Sequence, residues 1–269
     1  QFSQQDPRPK VRQEYDRWLN FETRWLRQFD GVFVMSQQDR DEVTGVGASC
    51  DSTYVIPNGV DLDRYAPLPP ASASAPEIFY VGSFRHQPNL LGFDELRTRI
   101  MPRVWEKFPT AILRVVAGPE HEKHWRTSLK SSLGPDASIP QLDPRIVIHG
   151  FVADLAPLYA TADLVVVPLP LSAGTNIKVM EAMACRRAVV TTPVGAQGLG
   201  LQSGHDVMIC PLGEEFAAAI CSLLDDPSLR DRIAGQARAT AEDRFSWKSI
   251  AGEMRAAYAD VIGRRLSAA

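Results

Sequence analysis

Cysteine is scarce in this chain. Cys50, Cys185, Cys210 and Cys221 are the only four among 269 residues. None forms a C-x-x-C pair and no histidine stands at ligand spacing from any of them, so neither a zinc site nor a dithiol redox centre is indicated. Cys185 and Cys210 lie in apolar segments and read as small buried hydrophobes in a reducing compartment. Long hydrophobic runs are also missing: stretches such as Leu164–Val167 are far too short to span a bilayer. The opening residues, QFSQQDPRPK, contain no apolar leader core, and Gln1 is not an initiator methionine. The expectation is therefore a piece of a longer protein, neither membrane-spanning nor a visible precursor. A basic excess is missing as well. The 29 Lys and Arg stand against 32 Asp and Glu, a net charge of −3, which is not the footprint of a nucleic-acid binder. Glycine (18) and proline (20) are too few for a low-complexity chain. No G-x-S-x-G elbow, Walker A or G-x-G-x-x-G occurs, and Gly195, Gly198 and Gly200 have the wrong spacing for the last.

What is present is an ordinary globular composition, 45% hydrophobic and 23% charged, enough to bury a sizeable core without staples. Short β-branched runs are the strand candidates: Gly31–Ser36, Thr53–Ile56, Ile78–Gly82, Ile112–Gly118, Arg145–Gly150, Leu164–Pro168, Ala188–Thr192 and Val207–Cys210. Runs such as FYV, LVVV and AVV are continuously apolar, which implies burial on both faces, as in a parallel sheet. Helical patterns lie between them, notably Leu90–Phe108 and Asn176–Cys185. Strand–helix alternation of this kind predicts an α/β fold, a Rossmann-like parallel sheet flanked by helices. Residues 66–76 (APLPPASASAP) read as a linker. About two strands precede it and six follow it. The expected organisation is a partial N-terminal domain and hinge over 1–65, the linker, a complete Rossmann-like unit over 77–245, and a C-terminal helix over 246–269. Asp226-Pro227 has the form of a helix start, and Ser246 of a cap on the last helix, Trp247–Leu266.

In open parallel sheets, ligands bind beyond the carboxyl ends of the strands. Three predicted strands end there in glycine, where backbone can approach a ligand: Gly82-Ser83-Phe84-Arg85-His86, Gly118-Pro119 and Gly150-Phe151-Val152. The segment PLPLSAGTNIKVMEAMA (Pro168–Ala184) is more specific. A small-residue loop leads through Gly174, Thr175 and Asn176 into a helix, with Thr175 or Asn176 as cap. Amides at a helix start favour an anion such as a diphosphate. Lys178 in the first turn opposes the helix dipole, which makes sense if phosphate is bound there. Glu181 shares its sector, with Ile177, Met180 and Ala184 as the neighbouring apolar stripe. The competing reading is a plain Lys–Glu pair on a half-buried helix. Asp61-Leu62-Asp63 looks like a metal pair but sits by the turn Pro57-Asn58-Gly59 and reads as turn and capping chemistry. His121 and His124 read as a solvated helix face, and no metal site is expected.

Taken together, VIPNGVDLDRYAP (Val55–Pro67), FYVGSFRHQPN (Phe79–Asn89), LRVVAGPE (Leu113–Glu120), VIHGFVADLAPLYATADLVVVPL (Val147–Leu169), GTNIKVMEAMACRRAVVTT (Gly174–Thr192) and FSW (Phe245–Trp247) resemble the donor-binding half of GT-B fold glycosyltransferases of the family 4 type. The resemblance runs in order from about Phe29 to Tyr258. It implies a retaining transferase that takes sugar from a nucleotide-sugar, UDP- or GDP-linked, without a cofactor or metal, by front-face displacement. It further implies a glycan or lipid-linked acceptor and a role in bacterial polysaccharide or cell-envelope assembly, on the cytoplasmic side and at the inner membrane face through regions not present here. Glu181 matches the second glutamate of the family's E-x7-E motif, which accepts hydrogen bonds from the ribose. Ala173 stands where the first belongs. Thr175 and Asn176 fall where the family's loop contacts the donor sugar, and Phe151 and Val152 where its loop meets the base. Ser83 replaces a phosphate-binding arginine, and Gln87 or Pro88 the following lysine, leaving Lys178, with Arg85 and His86, as candidate cations for the departing diphosphate. No catalytic base is identifiable. The resemblance implies that most of a first domain is missing, and that the last helix, through Ile250, Met254, Ala257, Tyr258 and Val261, packs on Trp18, Leu19, Trp25 and Leu26 of a helical stretch within Val11–Phe29. The alternative is that those aromatics are exposed and mark where the missing domain docks. Two other readings stay open: a non-catalytic nucleotide-sugar-binding module, and a sugar-nucleotide 2-epimerase, against which the EAMA helix and the PNGVD segment argue.

Overall fold

Strands that are apolar on both faces need helices on both faces, and the chain supplies them. The computed structural model describes residues 9–69, 75–171 and 174–268. Two short parallel strands, β1 (Val32–Val34) and β2 (Thr53–Val55), form a small sheet. A second, six-stranded parallel sheet holds β3 (Glu77–Val81), β4 (Ile112–Val116), β5 (Ile146–His149), β6 (Leu164–Val167), β7 (Ala188–Thr191) and β8 (Met208–Ile209), in spatial order β5-β4-β3-β6-β7-β8. All eight predicted strands are present. The chain steps outward from β3 through β4 to β5, then returns to the other side of β3 for β6, β7 and β8. The order therefore reverses at the β3–β6 pair, and adjacent connections diverge beyond its carboxyl ends.

The side chains of the central strands divide between two cores. Ile78, Tyr80, Leu164 and Val166 join Phe93, Val104 and Phe216 on one face. Phe79, Val165 and Val167 join Tyr159, Val179, Met183 and Phe245 on the other. The first face is covered in part by helices Gln87–Glu95, Met101–Lys107 and Glu214–Asp225, the second by Ile177–Ala184 and Pro227–Arg244. The single helix predicted over Leu90–Phe108 is instead two helices joined by a π turn, Leu96–Ile100. Each has proline near its start, Pro88 and Pro102, where a residue without an N–H costs no helical hydrogen bond. Asp226 caps the next-to-last helix as expected, accepting from the amides of Ser228 and Leu229.

The chain divides into two compact units, the described residues of Gln1–Asn58 with Lys248–Ala269, and Gly59–Trp247. In the smaller unit, the last helix (Trp247–Ala268) does pack on the N-terminal segment, but not on the partner expected. Ile250 and Ala257, one heptad apart on one stripe, meet Ile56, Phe33 and Tyr54 beside the small sheet. The Phe33 and Tyr258 rings lie 4.9 Å apart, and the Tyr54 hydroxyl donates to Asp260. The helix Pro9–Leu26 has no buried residue, and Trp18 is 54% exposed and Trp25 40%. The small sheet presents a flat aromatic face that a helix carrying one Ile and one Ala can approach. Along the helix Pro9–Leu26, Trp18 meets Phe21 edge-on and Phe21 lies tilted against Trp25.

Candidate functional site

The three glycines read from the sequence as strand ends do lie on neighbouring strands. β5, β4 and β3 are adjacent, with Val81 paired to Val116 and Val116 to His149. The Gly82 amide donates to the Val116 carbonyl and the Gly118 amide to the Gly150 carbonyl, so the loops leave the sheet side by side. Gly82 is required by its neighbours: a Cβ there would stand 2.8 Å from both the Asn89 Cγ and the Tyr80 hydroxyl. Gly118 is required by conformation (φ +77°) and by Ser83, whose Oγ would be 2.8 Å from its Cβ.

Lys178 sits in the first turn of Ile177–Ala184, as predicted, but it does not lie along the surface. Its ammonium donates to Asn89 Oδ1 at 2.6 Å and lies 6.0 Å from the Tyr80 ring. Asn89 in turn donates to the Ser83 carbonyl, 3.0 Å. A single buried asparagine thus ties the loop after β3 to the start of the helix after β6, across the point where strand order reverses. Burial pushes the Lys178 pKa down to about 8, with the charge of Glu181 pulling the other way. Among the described residues no carboxylate oxygen forms an ion pair with it. A largely desolvated ammonium with no ion-pair partner among the described residues is a site that an anion would stabilise.

Glu181 is the second fixed point. Its Oε1 accepts from the Tyr65 hydroxyl at 2.9 Å and its Oε2 from the Tyr159 hydroxyl at 3.4 Å. Burial, and then the Glu181 charge, holds both phenols well above their ordinary pKa, so they stay protonated as donors. Asn176 occupies the cap position but does not cap; its amide donates instead to the Gly195 carbonyl, 2.9 Å. Gly195 was set aside in the sequence, yet it packs against Thr191 and its own amide donates to Thr192 Oγ1. The apolar stripe needs a correction too. Val179, Met180, Ala182, Met183 and Ala184 are buried, but Ile177 is 47% exposed, because it faces away from the sheet at the first helical position.

The other candidates spread around these two points. Ser83 Oγ accepts weakly from the Arg85 amide, 3.4 Å. Arg85 and His86 are exposed, with His86 preceding the helix Gln87–Glu95. Phe151 is 73% exposed and borders a hollow of about 710 Å³ with Pro119, His121 and Lys123, whereas Val152 packs into the core face that holds Tyr65 and Tyr159. Gly174 is exposed with φ +91° and Thr175 half-buried. Ala173 and residues 70–74 of the expected linker lie outside the described residues. Asp61 forms a turn, its Oδ1 accepting from the amides of Asp63 and Arg64. Nothing in the sequence pattern marks Asn89, Tyr65 or Tyr159 as site residues.

Over residues 75–226 the sequence matches the family described as glycosyl transferases group 1. The D-inositol 3-phosphate glycosyltransferase of Xylanimonas cellulosilytica is 29% identical over 262 residues, covering 88% of this chain and 58% of that protein. Sucrose-phosphate synthase from Thermosynechococcus elongatus superposes with a TM-score of 0.72 at 23% identity, covering 93% of this chain and 62% of the other. Anabaena Alr3699/HepE, solved in complex with UDP and glucose, gives 0.68 at 22%, covering 90% and 66%. The chain spans little more than half the length of the curated relatives it matches. With the match taking in more than half of its residues and its parallel sheet following their architecture, the chain belongs to the group 1 glycosyl transferases and corresponds to the C-terminal half of a GT-B fold.

Proposed function

We propose that residues 59–247 bind the nucleotide-sugar donor of a retaining glycosyltransferase, with a UDP- or GDP-linked sugar and a glycan or lipid-linked acceptor. The observation that carries this reading is Lys178: a desolvated ammonium at a helix start, held by Asn89 and lacking an ion-pair partner among the described residues. A diphosphate placed there would gain the ammonium and the helix dipole together. Gly82, Ser83, Arg85 and His86 would flank the phosphates, and Glu181 would accept from the pentose hydroxyls. The Phe151-Val152 loop would meet the base, and Gly174, Thr175 and Asn176 the sugar. In the transfer, the bond from the anomeric carbon to the nucleoside diphosphate breaks while the acceptor oxygen bonds that carbon on the same face, and the acceptor's proton passes to the departing phosphate oxygen. Lys178 and the helix start stabilise the charge that develops on the leaving group. The names of relatives, a lipopolysaccharide core mannosyltransferase among them, support a place in envelope or polysaccharide assembly. Among the described residues no helix is long and apolar enough to cross a membrane, so an association with the inner membrane face would come through other regions.

Ala173 and Ser83 stand in place of charged residues of the family pattern, and they favour one second reading, a module that binds nucleotide-sugar without transferring it. Titration calorimetry with UDP and GDP tests the first claim: the chain binds one of them, and Lys178→Ala weakens binding at least a few-fold. Unchanged affinity removes Lys178 from the site. Sugar release to an added acceptor separates the two readings. We expect none from the 269 residues alone, and transfer only once an acceptor-side region is supplied; binding that persists with no transfer in that combination selects the module.

A further inference from the structure

We propose that Tyr65 is a positioning residue for the pentose subsite, fixing Glu181 so that its carboxylate is aimed at a vicinal diol. This rests on the nucleotide-sugar reading of the same site. A carboxylate offers about four lone-pair sites, two on each oxygen. Tyr65 fills one on Oε1 and Tyr159 one on Oε2. Among the described residues this leaves one acceptor position on each oxygen, which is the pattern that the 2′ and 3′ hydroxyls of a ribonucleotide would fill and that a 2′-deoxynucleotide would half fill. A carboxylate free to rotate would satisfy a single hydroxyl nearly as well.

Tyr65 is itself held from several directions. Its backbone amide donates to the Asp61 carbonyl, and its carbonyl accepts from Arg238, 2.9 Å, which also reaches the Ala184 carbonyl at the end of the Glu181 helix. The Arg64 guanidinium lies 5.5 Å from its ring, and the Tyr159 ring meets it edge-on at 6.0 Å. Three residues on, the Leu68 amide donates to the Cys185 carbonyl. The phenol is thus delivered to Glu181 by a segment anchored to the same helix from below. The hydrogen bond to the carboxylate comes from the hydroxyl, so the ring can be kept and the hydrogen bond removed.

The test is the ratio of dissociation constants for a 2′-deoxynucleotide and its ribonucleotide, measured by calorimetry with UDP against dUDP and GDP against dGDP. The wild type should prefer the ribonucleotide by about tenfold, the weight of one hydrogen bond to a charged group. Glu181→Gln should bring the ratio close to one. Tyr65→Phe should lower it at least threefold, and Tyr159→Phe should lower it less, since its hydrogen bond is the longer one. A melting curve of each variant accompanies the titration. A merely structural role for Tyr65 would weaken both nucleotides together and leave the ratio where it was, and that result overturns the proposal. A wild type with no ribose preference, or a Glu181→Gln variant that keeps it, overturns the pentose-subsite reading and this proposal with it. The two failures are therefore told apart by the Glu181 variant.

Discussion

The two units of this chain are built from similar elements, parallel strands with a helix between them, yet they spend their apolar residues differently. In Gly59–Trp247 the central strands are inaccessible along their length: Ile78, Phe79, Tyr80 and Leu164 through Val167 are all fully buried. In the smaller unit the buried apolar residues along or just after its two strands are Val34 and Ile56 alone. Trp18, Phe21, Trp25, Phe29, Tyr258 and Ile262 remain exposed there. A two-stranded sheet is marginal by itself and needs further strands or a helix packed on it. The larger unit supplies six strands, whereas the small sheet depends on the last helix lying against it. The candidate binding residues follow the same division, for every proposed donor contact lies in the larger, more deeply buried unit, where a positioned side chain costs least to hold.

Mutations should expose this difference. Phe93 is fully buried and touches the rings of Phe84 and Trp125. Phe93→Ala should cost about 3–5 kcal/mol in urea unfolding, whereas Phe33→Ala in the smaller unit should cost about 1–2 kcal/mol. Equal losses would mean that the two units are stabilised alike. Next in size is Gly195→Ala. The new methyl would run into the Thr191 hydroxyl and the Val167 carbonyl at 3.1 Å. We expect a loss of about 1–3 kcal/mol, together with weaker nucleotide binding through displaced Asn176. If binding is untouched, the Asn176–Gly195 contact is not part of the site.

The pH dependence follows from Lys178. Its folded pKa, about 8, lies below the ordinary 10.5. Between these values the unfolded chain holds more protons, so stability rises as pH increases through that window. Lys178→Met should flatten the rise. Nucleotide affinity should move the opposite way, falling as the ammonium is lost above about pH 8, and the variant should lack that fall. A wild-type profile flat in both measurements would place the amine in water. The smallest effect is expected at Trp18. Trp18→Ser on the exposed helix should change stability by no more than about 0.5 kcal/mol; a larger loss would show that the helix Pro9–Leu26 is packed after all.

The sequence disclosed the strands well and the contacts poorly, for a physical reason. A strand buried on both faces must be apolar at successive positions, so Leu164–Val167 and Ala188–Thr191 announce themselves locally. The glycine ends and the first-turn position of Lys178 are local as well. Tyr65 and Tyr159 meet Glu181 from 116 and 22 residues away, and nothing in the surrounding residues separates a tyrosine that packs from one that also donates. Asn89 left a faint signal, an asparagine shortly after Gly82, within the stretch already quoted for its resemblance. Pro102 within the long helical pattern was a plainer sign of the break that follows Glu95.

Arg187 has a practical consequence. This buried guanidinium has carbonyl oxygens around it, donating to those of Tyr159, Ala160 and Arg186 on one side and of Leu68 and Pro69 on the other. It acts as a rivet through three stretches of main chain. Anyone cutting a minimal fragment at Glu77, where the large sheet begins, would remove one of those three stretches, and with it two of the five carbonyl oxygens that hold the buried cation. A fragment opening at Gly59 would keep the rivet seated, and it is the one we expect to express in folded form.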